Sequence, residues 1–143
     1  MIRKTLVGQV VMLLLATTAA ATAEEYWLRA SPENCEIWSD QPTQGGDVIT
    51  WSGGCIDGKT NGNGLLLWMR NGKLHTSFDG DMSGGKMNGK GALVEASGSS
   101  GQYDVVVGKF RNSEPKGAIL FKSAENAFFV GQYQNGKMDG QIL

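Results

Sequence analysis

The sequence predicts an all-β protein, an antiparallel meander of β-hairpins, and three observations predict it. A glycine-and-aromatic phrase returns four times, apolar and polar residues alternate within each copy, and turn-forming residues separate the runs. The phrase begins Trp51-Ser52-Gly53-Gly54-Cys55, passes Gly58 and closes on Gly62-Asn63-Gly64. Numbered from Trp51 as position 1, its glycines fall at positions 3, 8, 12 and 14. The copy from Phe78 repeats all four as Gly80, Gly85, Gly89 and Gly91. The copy from Val106 keeps Gly108 and Gly117 but has Ser113 and Ile119. The copy from Phe129 has Gly131, Gly136 and Gly140.

Residues 1–23 read as a secretory signal peptide. Arg3 and Lys4 precede an apolar run from Leu6 to Ala16, and Ala21-Thr22-Ala23 has the small-x-small pattern of a cleavage site. A membrane anchor needs about 20 apolar residues, more than this run offers. Residues 24–48 then form an N-terminal cap segment and residues 49–143 the repeat domain, which places the mature chain in the periplasm or outside the cell. Cys35 and Cys55 are the only cysteines. An even pair in an exported chain reads as a disulfide, and the spacing is too long for a redox Cys-x-x-Cys motif.

The strands follow from the alternation. Trp51, Gly53 and Cys55 share one face, as do Phe78, Gly80 and Met82; Val106, Gly108 and Phe110; and Phe129, Gly131 and Tyr133. A second apolar run follows each closing glycine, at Leu65–Met69, Ala92–Ala96 and Ala118–Lys122. Asn71-Gly72 between two such runs is a strong hairpin signal. Gly53, Gly80, Gly108 and Gly131 are expected mid-strand, where a missing side chain lets a large ring from the neighbouring strand lie across the backbone. Gly85 and Gly89 are expected in a connecting loop at positive φ.

The phrase, aromatic-x-Gly-x-aromatic-x-x-Gly-x-x-x-Gly-x-Gly followed by an apolar strand, resembles the MORN family (membrane occupation and recognition nexus repeats). The resemblance runs from about Ile49 to Leu143 and is sharpest for Trp51–Trp68 and Phe78–Glu95. It implies an elongated, twisted, single-layer sheet with an aromatic-lined groove. Cys55 and Met82 depart from the family's aromatic at position 5, and the first two links are longer than usual. Cys35-Glu36-Ile37-Trp38 ahead of the first copy resembles the capping arrangement of exported bacterial members.

Composition and motifs point away from catalysis. Loss of Arg3 and Lys4 with the leader takes the formal charge from -1 to about -3. Lys and Arg are scattered singly, without the basic footprint of a nucleic-acid binder or a stripe that would attract anionic lipids. Gly84–Gly91 imitates a phosphate-binding loop but has Gly91 in place of the Ser or Thr. Asp79-Gly80-Asp81 imitates a calcium loop whose twelfth position is Lys90 instead of an acid. His75, the sole histidine, lacks a nucleophile signature around it. Asp57, Asp79, Asp81, Glu95 and Asp104 are the carboxylates from which a hydrolytic pair would have to come. The expectation is a non-enzyme without cofactor or metal.

Large side chains at positions 1, 5, 16 and 18 form columns across the sheet, chiefly as core. A single-layer sheet leaves one face wet, so some rings are expected in an exposed groove. Trp68, Phe110, Tyr133 and Trp51 are the candidates. The expected function is that of an exported, non-catalytic binding or scaffold protein, monomeric, whose groove engages a partner protein. The alternatives are an envelope glycan or peptidoglycan module and an inhibitor or immunity protein against a toxic partner.

Overall fold

The computed structural model describes residue 22, residues 24–98 and residues 101–142. The predicted leader, apart from Thr22, lies outside the described residues. Among the described residues there are eleven strands and no helix. They are β1 Tyr26–Ala30, β2 Cys35–Ser39, β3 Asp47–Trp51, β4 Gly54–Ile56, β5 Lys59–Arg70 and β6 Lys73–Ser83. The remainder are β7 Lys86–Ser97, β8 Gln102–Arg111, β9 Glu114–Lys122, β10 Phe128–Gln134 and β11 Lys137–Ile142. From β5 to β11 each strand pairs antiparallel with the next, as the alternation predicts.

Repeat position 8 makes the turns. Asp57-Gly58, Gly84-Gly85, Asn112-Ser113 and Asn135-Gly136 each hold two consecutive residues at positive φ. Such two-residue turns match the right-handed twist of the strands they join, and Gly and Asn tolerate the geometry. The strand therefore resumes at once, and here the structure corrects the expected loop. Gly89 has positive φ, at 116°, but lies inside β7. Beside it the register of β6 on β7 shifts between Gly80 and Met82. The strands are accordingly longer than the short apolar runs suggest, with 12 residues in β5 and in β7.

Register aligns the phrase across the sheet. Gly64 faces Gly80, Gly80 faces Gly91, Gly91 faces Gly108, and Gly131 faces Gly140. Two residues along, on the same face, lies the apolar row Trp51, Leu66, Phe78, Leu93, Val106, Phe121 and Phe129. Two of the rings at position 1, Trp51 and Phe78, each lean over two glycines. A Cβ on Gly80 would meet Phe78 Cζ at 2.9 Å, and one on Gly91 of the neighbouring strand would overlap the same ring. Trp51 covers Gly53 and Gly64 in the same way. Bare backbone lets the ring lie flat, so Phe78 is 0% exposed in a thin sheet.

The cap makes the first repeats two layers thick. Cys35 and Cys55 form a disulfide, which ties β2 to β4. The β1–β2 hairpin is held on both sides by backbone hydrogen bonds. Ser31 N–H donates to the Ile49 carbonyl and Trp51 N–H to that of Ser31, both at 2.9 Å. On the other side Glu36 N–H reaches the Gly58 carbonyl at 2.7 Å and Trp38 N–H the Gly85 carbonyl at 2.8 Å. Gly85 thus has a second reason to be glycine, because a Cβ there would strike Trp27. Leu28, Ala30, Cys35 and Ile37 join Ile49, Leu66, Trp68, Phe78, Met82, Leu93 and Phe110 in one buried cluster on what we call the inner face.

On the outer face, pairing revises the reading of scattered lysines. Lys90 stands opposite Lys109, and Lys109 opposite Lys116.

Candidate functional site

Between the cap and the inner face lies a cleft of about 220 Å³. Its floor is the core row of Leu66, Phe78 and Leu93 with Met82, brought together by the register of β5, β6 and β7. Ile37 and Trp38 of β2 form one wall, and Trp68 and Met87 stand against them. The β8–β9 turn closes one end. Its Ser113 N–H donates to the Met87 carbonyl at 2.9 Å, and Met87 N–H donates to Ser113 Oγ at 3.1 Å. Asp40, Glu95 and Glu114 line the cleft, and Lys86 Nζ lies over the Trp38 ring that walls it.

Trp68 is clamped from outside. The His75 ring meets it edge-on with centroids 4.6 Å apart, and the Arg70 guanidinium lies 5.4 Å from its ring centre. Arg70 in turn grips Asp47 with two bonds, Nε to Oδ1 at 2.8 Å and Nη2 to Oδ2 at 3.0 Å. That grip holds the Asp47 carboxyl well below the usual carboxylate range. The Trp68 indole N–H also favours the Asp47 charge, although it falls short of hydrogen-bond geometry. Loss of water around His75, with the nearby Arg70 charge, pushes its pKa down. Imidazole is committed here to packing against tryptophan.

Glu95 has an exposed side chain, yet the protein crowding it on one side raises its pKa, and Asp40 and Asp104 add to the shift. A raised folded-state pKa gives stability that is fully present below the unfolded value and is lost as pH rises through the folded one. Glu95→Gln is therefore expected to raise the melting temperature at pH 7 and to leave it unchanged below about pH 4, where the acid is neutral in both states. Thermal melts of both proteins across that range check it.

The structure brings one of the four ring candidates to this cleft. Trp68 lines it while remaining only 5% exposed. Trp51 and Phe110 are core residues, each 3% exposed, and present no groove surface. The Trp51 indole N–H donates to the Gly54 carbonyl at 2.8 Å, and Phe110 packs edge-to-face on Phe78 with centroids 5.2 Å apart. Both rings fill space above glycines or against another ring, and that burial removes them from the surface. Tyr133 is half-buried in a separate depression with Arg111, Lys116 and Gln134. Trp38, Met87, Asp40 and Glu114 were not singled out from the sequence. Trp38 had a signal, in its place three residues after Cys35. The others reach the cleft only through turns and register.

The motif look-alikes dissolve into the repeat. Gly84-Gly85 is a hairpin turn and Gly89–Gly91 part of a strand, so no helix terminus faces that loop. Asp81 Oδ1 accepts from Asn63 Nδ2 at 3.1 Å on the outer face. Among the carboxylates, Glu95 and Asp104 face each other across β7 and β8, but Asp104 Oδ1 accepts from Ala124 N–H at 2.7 Å. Glu33 lies beside Cys35 and Cys55, whose sulfurs are joined to each other and offer no thiolate to a metal. No helix among the described residues is long and apolar enough to cross a membrane.

No protein-family model matches the chain, and no curated protein matches it.

Proposed function

We propose that this is an exported, non-catalytic MORN-type repeat protein that binds a partner protein, taking a basic or amphipathic side chain of that partner into the cleft under the cap. One observation carries the reading: an apolar floor with three carboxylates along its lining, against one lysine, Lys86, that packs on the Trp38 ring. An aliphatic stem packs on such an apolar floor while its charged end reaches acids at the rim. Trp38 also has an indole N–H without a partner among the described residues. The disulfide is compatible with an oxidising compartment and supports export.

A glycan ligand would need free indole faces for sugar rings. Lys59 Nζ sits 4.1 Å from the Trp27 ring centre and Lys86 Nζ 5.3 Å from that of Trp38. Those occupied faces favour the protein reading over the envelope glycan.

The test is capture from the native envelope with a photo-crosslinker at Met87, followed by affinity measurement on the captured protein. Glu95→Gln with Glu114→Gln is expected to weaken that affinity about tenfold, the effect of losing one charge-assisted contact. Trp38→Ala should weaken it further. Affinity unchanged in both variants, or crosslinking abolished by soluble oligosaccharide, would sink the proposal.

A further inference from the structure

The outer face carries a second surface of opposite character. Lys90, Lys109 and Lys116 come from β7, β8 and β9 and stand side by side across the strands. Adjacent strands lie about 4.8 Å apart, so three ammonium groups share roughly 10 Å of sheet. All three lysines are exposed, and none has an ion-pair partner among the described residues. Asp79 lines the depression beside the lysines without forming an ion pair with them, and Asp81 accepts a hydrogen bond from Asn63. Like charges directly opposite weaken a sheet, so this row opposes folding until something anionic lies over it.

A second row runs beside the first. Ala92 faces Val107, Val107 faces Leu120, and Leu120 faces Val130. Val107, Leu120 and Val130 are 42%, 41% and 46% exposed, high values for branched apolar side chains. A shallow depression of about 660 Å³ separates the rows, floored by the backbone of Gly80, Gly91 and Gly108. Strand alternation puts the rows on the side away from Phe78 and Phe110, so this surface is independent of the cleft.

We propose that the outer face docks an acidic, amphipathic peptide segment of a partner protein. Its carboxylates lie over Lys90, Lys109 and Lys116, and its apolar side chains lie on Val107, Leu120 and Val130. Charge complementarity selects an anion, and the adjacent apolar row selects a peptide. A phosphate or sulfate polymer would satisfy the lysines and leave the apolar row in water. The depression between the rows lets the segment's backbone approach the sheet closely.

The test measures binding of short labelled peptides by fluorescence anisotropy at low salt. The peptide alternating Glu and Leu is expected to bind, and those alternating Glu and Ser or Lys and Leu to bind at least about tenfold more weakly. Replacing all three lysines by Gln should abolish the salt dependence, and Leu120→Ser should reduce affinity several-fold. Glu95→Gln should change neither, which separates this surface from the cleft. Both variants alter exposed positions, and a melting temperature at or above that of the parent verifies the fold; if the triple variant melts early, Lys109→Gln alone is read. The proposal is overturned if the Glu-Leu peptide does not bind, or if Leu120→Ser has no effect. Tighter binding of inorganic polyphosphate or of phosphatidylglycerol vesicles, with the Glu-Leu peptide failing to compete, would also overturn it.

Discussion

Gly91→Val is expected to lower stability by about 3 kcal/mol or more, at the upper end of overpacking effects, and to lower the melting temperature by roughly 10 °C. The new side chain would occupy the place of the Phe78 ring, which is 0% exposed and fixed from its other side by Phe110. Phe78 has no alternative position, since Leu66 and Leu93 face it across both neighbouring strands. Gly58→Ala is the control. A Cβ there meets nothing within 4 Å, so only the positive φ of 74° opposes it, at a cost of about 1 kcal/mol. Calorimetry of the two variants separates steric overlap from backbone strain. Equal melting temperatures would remove ring-over-glycine packing as the reason for the repeat.

Removing the disulfide is expected to cost about 3 kcal/mol in the chain-entropy picture, for cysteines 20 residues apart. The effect on the cleft should be larger than the effect on the distal repeats. Cys35 opens β2, and Ile37 and Trp38 on the same strand wall the cleft. The Cys35→Ala, Cys55→Ala double variant should therefore expose Trp38, shift its fluorescence to the red and lose cleft binding, while β8 to β11 keep their strand signal. Identical melting and identical emission with and without reductant would show that the cap is held by its hydrogen bonds alone.

Much of the fold was legible before the structure because period-two alternation and turn chemistry are local. Asn71-Gly72 marks one end of the hairpins and position 8 of the phrase marks the other, and these turns set the register of β5 through β7. Gly89 misled for a physical reason. Positive φ suggests a loop, but here a two-residue turn has already reversed the chain and the unusual φ belongs to a register shift within the strand. Trp51 and Phe110 misled because the same alternation that puts a ring on a face says nothing about whether another layer covers it.

From composition and pattern alone came the all-β class, the hairpin order, the paired cysteines and the glycine row, since each depends on residues near one another in the chain or on a period. The cleft and the lysine row did not. Asp40, Glu95 and Glu114 are separated by long stretches of chain, as are Lys90 and Lys116, and only strand pairing and the folded-back cap set them side by side. Side-chain charge acts through space, and the distances that matter to it exist only once the sheet has formed.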